Sequence, residues 1–359
     1  MTFLIAAAGT GGHVFPGLAV GEALLELGVE RDDVTYVGGD RLEARVYPEH
    51  GFRFLSVDVA GLKRSVTVDN LRLAGVVRRA RRRIVEQIDS LGIEVVLGMG
   101  GYVTIPAAMA ARARRKPFFN AEQNAEAGLA NKVTARWARA SFVSFPRTGG
   151  LPRGTWVGNP VRRPIRQFDR ERLLPGARLR YGVEGHEHVL GVFGGSLGAG
   201  VLNEAVATMV EGWDGPRIGV VHLTGETHLA DLMARQASEA VTWSRIGFET
   251  EMEWFYAAAD LVIARAGGAV AELTVTATPS ILVPGRFGSG GHQEGNARFL
   301  AASGAAFVVE EAGIAGLPEA VTGLFLEPAR LADMARAASD IAKPEAALTI
   351  ARTMIEAAG

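Results

Sequence analysis

Several features are missing from this 359-residue chain, and each absence excludes a class of function. It has no cysteine, which excludes disulfides, thiolate metal sites and thiol nucleophiles. Its net charge is −1, so its overall charge gives no sign of nucleic-acid binding. No run reaches the roughly 18 apolar residues of a membrane-spanning helix, and the N-terminal residues lack the basic start of a secretory signal. The sequence therefore predicts a cytoplasmic globular protein without a signal peptide.

The common nucleotide-binding motifs are also incomplete. The glycines at 9 and 11 begin a dinucleotide fingerprint, but its third position falls on Val14, and Asp40 lies too far along the chain for the expected acid. No Gly-Lys-Ser/Thr follows any glycine cluster, which excludes a Walker P-loop. A nicotinamide dinucleotide or a P-loop nucleotide is therefore disfavoured.

Short apolar runs alternate with helical stretches along the whole chain. The candidate strands are 2–7, 34–37, 53–57, 94–97, 117–119, 141–144, 156–157, 188–193, 218–222, 243–246, 261–264, 280–283 and 306–309. Such alternation is typical of βαβ units and parallel sheets. The series restarts after a Pro- and Gly-containing join at 158–168, which predicts two domains.

We therefore predict an α/β fold with two Rossmann-like domains that face each other across a cleft. The first domain would cover 1–160 and the second 161–340. A terminal helix would follow at 341–359, and its packing back on the first domain is one of the open alternatives.

Glycine clusters stand at four strand-to-helix junctions, two in each half. They lie at 9–12, 98–101, 194–198 and 267–268. Ligands of open α/β sheets bind at the carboxyl ends of the strands, where glycine allows close approach to the backbone and helix N-termini favour phosphate. The cluster at 194–198 suits a diphosphate best, because it adds the hydroxyl of Ser196.

Polar residues near the later clusters suit a sugar or a ribose. Glu272 follows Gly267 and Gly268, where its carboxylate could cap a helix or accept hydrogen bonds from vicinal hydroxyls. Gln293 and Asn296 share one face at a helix start. Their neutral amides match hydroxyls, which both donate and accept, although an ordinary polar helix start is the alternative.

Seven segments, taken in order, resemble the MurG family within glycosyltransferase family 28. They are "GTGGHVFPGLAV", "GMGGYVTIPAAMAA", "EQNAEAGLANK", "GNPVR", "GGSLGAGVLNE", "RAGGAVAEL" and "HQEGNA". The resemblance implies a GT-B fold and an inverting transfer of N-acetylglucosamine from UDP-GlcNAc to the muramoyl 4-hydroxyl of lipid I. The product would be lipid II, for peptidoglycan synthesis. It also implies no metal ion and no cofactor, and the chain indeed lacks an Asp-x-Asp motif.

The resemblance also implies site residues. For the donor these are Thr10, Gly11, Gly12, Asn124, Arg162, Gly194, Gly195, Ser196, Phe248, Glu249, Glu272, Gln293 and Asn296. For the acceptor they are Gly12, His13, Gly100, Gly101, Tyr102 and Thr104. The catalytic group comprises His13, Glu122 and Asn124.

Within these sets the expected roles differ. Ser196 with its glycines and Arg162 would meet the diphosphate, Glu272 the ribose, and Gln293 the sugar hydroxyls. Phe248 and Glu249 would lie at the uracil. A histidine has a suitable pKa for a base at neutral pH, so we expect His13 to be the base, with Glu122 as the alternative.

The segment 60–120 is strongly basic, with twelve Lys or Arg and four Asp or Glu. Its stretch 71–88 predicts a helix that is either a solvated surface or a patch for anionic lipid. The resemblance favours contact with the inner membrane leaflet through Leu71, Val76, Val77, Arg78, Arg79, Arg81 and Arg82. It implies a peripheral protein on the cytoplasmic face of the bacterial membrane, whose partners are anionic lipid and cell-wall synthesis proteins.

The chain departs from the family pattern in several places. Ala121 stands where the family usually has histidine, and the loop at 265–272 is one residue shorter. The alternative is therefore a GT-B UDP-sugar transferase with a different lipid or natural-product acceptor. A UDP-GlcNAc 2-epimerase and a non-catalytic nucleotide-sugar-binding protein are further alternatives.

Overall fold

A computed structural model describes residues 1–58, 69–151, 153–195, 200–285 and 291–359, with the backbone alone for 69–73. The predicted site residue Ser196 and the side chain of Leu71 lie outside the described part. The chain forms two compact units, of which the first comprises Met1–Arg163 and Pro344–Gly359 and the second Pro164–Lys343.

The secondary structure alternates as the sequence predicts. The strands are β1 (Phe3–Ala6), β2 (Val34–Gly38), β3 (Arg53–Ser56), β4 (Val95–Gly98), β5 (Phe118–Glu122), β6 (Ala140–Val143), β7 (Thr155–Trp156), β8 (His188–Phe193), β9 (Ile218–Leu223), β10 (Val241–Ile246), β11 (Leu261–Ala264), β12 (Ser280–Leu282) and β13 (Ala306–Val308). The α-helices are α1 (Gly11–Glu26), α2 (Leu42–Glu49), α3 (Asp69–Leu91), α4 (Thr104–Ala113), α5 (Leu129–Thr134), α6 (Arg163–Arg166), α7 (Arg170–Arg180), α8 (Gly200–Glu211), α9 (Glu226–Met233), α10 (Met252–Ala258), α11 (Ala269–Val275), α12 (His292–Ala302), α13 (Leu317–Phe325), α14 (Pro328–Ile341) and α15 (Ala346–Ala358).

The first unit is built on a seven-stranded sheet in the order β3-β2-β1-β4-β5-β6-β7. All its strand pairs are parallel. All four residues of β1 are buried, as expected for a parallel strand covered by helices on both faces. The strand order reverses between β1 and β4, so the loops that follow these two strands flank the place where open sheets bind ligands.

The second unit repeats this plan with six strands in the order β10-β9-β8-β11-β12-β13. These pairs are parallel as well. The reversal lies between β8 and β11, whose following loops carry the glycines at 194–195 and 267–268. The two parallel sheets confirm the predicted α/β class with two Rossmann-like folds.

Helix α3 corrects one prediction. Val76 is 8% exposed and lies on the same face as Ala80, Ile84 and Ile88, which are buried. The last three pack in a core cluster with residues of α4. The prediction that Val76 contacts lipid is wrong, because this apolar face is turned into the protein.

The opposite face of α3 keeps its charge. Arg78, Arg79 and Arg82 are exposed, whereas Arg81 and Val77 are only half-exposed. Among the described side chains of α3, the exposed guanidinium groups are therefore the ones best placed to contact lipid. Within the described residues, no helix combines the length and the apolar character needed to cross a membrane.

Helix α15 belongs to the first unit. Leu348, Ile350 and Met354 are buried in the same core cluster as Leu18 of α1 and Phe142 of β6. The chain therefore leaves the first unit at Arg163 and returns to it at Pro344.

Candidate functional site

Two glycine loops meet at the reversal point of the first sheet. Gly100 and Gly101 follow β4 with φ of +89° and +72°, a backbone region that glycine adopts without strain. A Cβ at Gly101 would lie 2.7 Å from the Ala8 carbonyl oxygen, and one at Gly100 would lie 2.9 Å from Cδ2 of His13. The absence of side chains therefore lets the β4–α4 loop approach the β1–α1 loop and its histidine.

His13 lies in the first turn of α1, half-buried. Its backbone N–H donates to the Thr10 carbonyl at 2.9 Å, and its Nδ1 lies 3.3 Å from the Thr10 hydroxyl. The predicted residues Thr10, Gly11, Gly12, His13 and Gly100 are thus brought together at one edge of the sheet.

Glu122 ends β5 and is 3% exposed. Its Oε1 accepts from the backbone N–H of Asn124 at 3.0 Å and from Nδ2 of Asn124 at 3.1 Å. Its Oε2 accepts from the N–H of Gly128 and from Nδ2 of Asn131, both at 2.9 Å. Four N–H donors therefore occupy this carboxylate, which holds the following loop.

Two predicted acceptor residues at the start of α4 differ in exposure: Tyr102 lies just before this helix and Thr104 is its first residue. Tyr102 is 43% exposed, whereas Thr104 is fully buried. The Thr104 hydroxyl donates to the Gly100 carbonyl at 2.8 Å. Thr104 therefore supports the glycine loop from inside, and Tyr102 is the side chain able to meet a ligand.

Two buried residues of this region were missed from the sequence. Glu43 accepts from the N–H groups of Gly9 at 3.2 Å and Gly39 at 2.9 Å. Asn131 reaches Glu122 and lies near the position that a Gly100 side chain would take, 3.5 Å from its Cβ. Asn131 lies within the segment "EQNAEAGLANK" but was not singled out there, and the role of Glu43 depends on Gly9, which is distant in sequence.

The second unit arranges its predicted donor residues around the ends of β8, β11 and β12. Gly195 follows β8 with a φ of +95°. Glu272 is half-buried on α11, and its Oε2 accepts from the Tyr256 hydroxyl at 2.8 Å. On α12, Gln293 Oε1 accepts from the Gly285 N–H at 2.7 Å, and buried Asn296 donates to the Ala266 carbonyl at 3.0 Å. Asn296 therefore ties α12 to the loop that precedes α11, the helix that carries Glu272.

Arg265 is a further residue that sequence reasoning missed. It lies between β11 and Gly267, donates to the Val283 carbonyl at 3.0 Å, and pairs with Glu311 at 2.6 Å. Both side chains of this pair are 11% exposed. Arg265 therefore fixes the loops after β11 and β12 relative to each other.

Two predicted donor residues are held by internal ion pairs. Glu249 accepts from Arg180 through both carboxylate oxygens at 3.1 Å, and from the Tyr181 hydroxyl at 2.8 Å. Arg162 donates to Glu22 at 2.9 Å within the first unit. Their contacts with uracil and diphosphate stay predictions. The exposure of Phe248 is intermediate, so its ring can be reached.

No metal centre is evident in the part of the chain that the structure describes. No group of three or more His, Cys, Asp or Glu side chains there is placed to hold an ion. The polar groups at the ends of the strands include hydroxyls, amides and backbone N–H groups, which suit sugars and phosphates.

Comparison with known proteins identifies the family. The model of the glycosyltransferase family 28 N-terminal domain matches residues 3–143, and that of the C-terminal domain matches 189–350. A protein of Acidithiobacillus ferrooxidans named UDP-N-acetylglucosamine--N-acetylmuramyl-(pentapeptide) pyrophosphoryl-undecaprenol N-acetylglucosamine transferase is 40% identical, over 99% of this chain and 98% of its own length. A protein of the same name from Rhodococcus opacus is 37% identical, over 100% of this chain and 96% of its own.

A solved structure agrees with these relatives. The crystal structure of Acinetobacter baumannii MurG matches with a TM-score of 0.76 and 26% identity, over 99% of this chain and 100% of that one. Both domain matches and both full-length relatives point to the same enzymes. The chain therefore belongs to glycosyltransferase family 28 and is an enzyme of the MurG type.

Proposed function

We propose that this enzyme transfers N-acetylglucosamine from UDP-GlcNAc to the muramoyl 4-hydroxyl of lipid I and so forms lipid II. The observation that carries the proposal is the end-to-end similarity to transferases whose name states this donor sugar and this acceptor. The first unit would bind the acceptor, and the second would supply most of the donor contacts. This division follows the motifs that each unit carries at the reversal point of its sheet.

The reaction is a single displacement without a metal ion. The 4-hydroxyl oxygen attacks the anomeric carbon, the bond from that carbon to the diphosphate oxygen breaks, and the hydroxyl proton passes to a base. UDP leaves with the bonding electron pair, and the anomeric configuration inverts. The N–H groups at 194–195 and the positive end of α8 stabilise the leaving diphosphate, as helix N-termini do for phosphates.

His13 is the base in this proposal, and Glu122 is a positioning residue. A base needs a lone pair within hydrogen-bond reach of the attacking hydroxyl. The Glu122 oxygens already accept four hydrogen bonds from Asn124, Gly128 and Asn131. His13 lies on the half-exposed turn between the two glycine loops, where it can be reached by a substrate.

Membrane attachment is the second part of the proposal. We assign it to the exposed guanidinium groups of α3, which would bind anionic lipid at the cytoplasmic face of the membrane. The enzyme would then meet its lipid-linked acceptor at the membrane surface.

The direct test supplies UDP-GlcNAc and a lipid I analogue with a shortened prenyl chain, in the presence of a chelator. Release of UDP in a 1:1 ratio with a β-linked disaccharide product is the expected result. Binding of UDP-GlcNAc without transfer would instead favour a transferase with another acceptor. Loss of turnover in the chelator, restored by a divalent metal, would contradict the metal-free displacement.

A further inference from the structure

We propose that Tyr256 is a positioning residue for the donor nucleoside, because its hydroxyl fixes the carboxylate of Glu272 for recognition of the ribose diol. This inference rests on the proposed function, in which Glu272 holds the ribose. It adds a buried residue of α10 that lies outside every glycine motif.

The hydrogen bond between Tyr256 and Glu272 is the first step of the argument. Tyr256 is fully buried, and its hydroxyl lies 2.8 Å from Oε2 of the half-buried Glu272. Burial and the adjacent Glu272 charge raise the pKa of Tyr256 well above its ordinary value. The hydroxyl is therefore a permanent proton donor at any physiological pH, and hydrogen bonds to a charged acceptor are among the stronger ones.

The packing of the Tyr256 ring is the second step. It meets Phe193 edge to face with centroids 6.2 Å apart, and Phe255 with centroids 5.5 Å apart. Phe193 is the last residue of β8, directly before the glycines at 194–195. Tyr256 thus joins the loop expected to hold the diphosphate to the residue expected to hold the ribose.

Preorganisation is the consequence. A glutamate side chain has three rotatable bonds, and binding a diol with it costs the entropy of fixing them. The Tyr256 hydroxyl fixes one carboxylate oxygen before the nucleotide arrives, which orients the group toward vicinal hydroxyls. Removing the hydroxyl leaves the charge in place but not its orientation, so the loss falls on ligands that present the diol.

The experiment compares the dissociation constants of UDP and 2′,3′-dideoxy-UDP for the full chain by titration calorimetry. In the wild type, UDP binds more tightly because it carries the diol. Tyr256→Phe keeps the ring and its packing, and we expect it to weaken UDP binding by roughly five- to twentyfold. Its affinity for dideoxy-UDP should stay at the wild-type value, which also reports that the variant is folded.

Two further variants separate the possible failures. Glu272→Gln should collapse the preference for UDP, whereas Tyr181→Phe should preserve it, since Tyr181 donates to the other carboxylate, Glu249. If Glu272→Gln collapses the preference and Tyr256→Phe leaves it intact, Tyr256 has no positioning role and the ribose assignment survives. If Glu272→Gln leaves the preference intact, the ribose assignment itself is wrong and this inference falls with it.

Discussion

At the scale of single residues, the site divides into groups that touch substrate and groups that hold them. Glu122 and Glu43 are carboxylates whose oxygens accept from backbone N–H groups of the loops around the site. His13 lies among backbone and hydroxyl groups instead. This division makes different predictions for the two kinds of residue.

Replacing His13 by alanine should lower kcat by about 10²- to 10⁴-fold, the usual contribution of general base catalysis. The KM for UDP-GlcNAc should change less than kcat, because most of the expected donor residues belong to the second unit. Steady-state kinetics with a lipid I analogue measure both constants. His186→Ala is the matched control, since the His186 ring lies 2.8 Å from the Thr242 hydroxyl and belongs to neither site. Near-normal turnover of the His13 variant would assign the proton to another group.

The variant Glu122→Gln tests the positioning role. The glutamine amide would place its NH₂ group opposite N–H groups that donate to the carboxylate in the wild type. We therefore expect a loss of about 1–3 kcal/mol in the free energy of unfolding. Turnover should fall but remain measurable. The value of kcat/KM should still decrease at low pH, where the catalytic base becomes protonated. A variant of normal stability whose kcat/KM no longer decreases at low pH would show that Glu122 is the base.

At the scale of elements, the contact between the two glycine loops of the first unit can be tested by adding one methyl group. Gly100→Ala strains the positive φ by about 1–3 kcal/mol and also presses on the His13 ring. Gly92→Ala is the control, since Gly92 has a φ of +64° and nothing lies within 4 Å of its Cβ position. We expect both variants to lose stability in urea, and only Gly100→Ala to lose kcat/KM for the acceptor. Equal activity in the two variants would contradict the loop contact.

The basic face of α3 gives a second prediction at this scale. Changing the exposed Arg78, Arg79, Arg82 and Arg83 to glutamine should weaken binding to anionic vesicles by at least about tenfold, since each surface arginine contributes on the order of 1 kcal/mol. Sedimentation with phosphatidylglycerol vesicles measures the effect. A charge-matched control replaces Arg45, Arg172, Arg330 and Arg336, which are exposed on other helices. Equal losses in the two sets would mean that net charge, and not this face, controls binding.

The elements also show where sequence reasoning reaches its limit. Alternating apolar runs predict β1 to β13, because local burial alone produces that pattern. The same reasoning misplaces Val76, because helical spacing identifies an apolar face but not whether protein or lipid covers it. The roles of Asn131, Tyr256 and Arg265 could not be predicted, since they depend on partners from other elements. The glycine loops could be predicted, because positive φ angles and close backbone contacts require glycine at those positions in the sequence.

At the scale of the whole molecule, acid should destabilise the second unit through one buried histidine. His222 is fully buried on β9, and its Nε2 lies 3.1 Å from Oδ1 of Asn203. Burial, with a smaller effect of Arg245, lowers the pKa of His222 to about 3. The unfolded chain has an ordinary histidine pKa near 6.5, so between these values the unfolded state binds the extra proton. Stability is therefore lost as the pH falls through 6.5 toward 3.

The expected loss from this histidine between pH 7 and pH 5 is about 2 kcal/mol. Urea unfolding followed by tryptophan fluorescence at the two pH values measures it. His222→Gln lowers stability at both pH values but should remove most of the difference between them. A difference as large in the variant as in the wild type would mean that other groups cause the acid sensitivity.

The return of α15 to the first unit has a consequence for how the protein is made. A nascent chain emerges from the ribosome N-terminus first, and domains generally fold as they emerge. The first sheet emerges first, yet Leu348, Ile350 and Met354, which fill its core beside Leu18, are synthesised only after the whole second unit. The second unit, continuous from Pro164 to Lys343, can complete its core earlier. Until α15 is synthesised, the apolar surface that it covers in the first unit stays exposed. We therefore expect the first unit to depend more on chaperones during synthesis than the second unit, and to be more sensitive to C-terminal truncation.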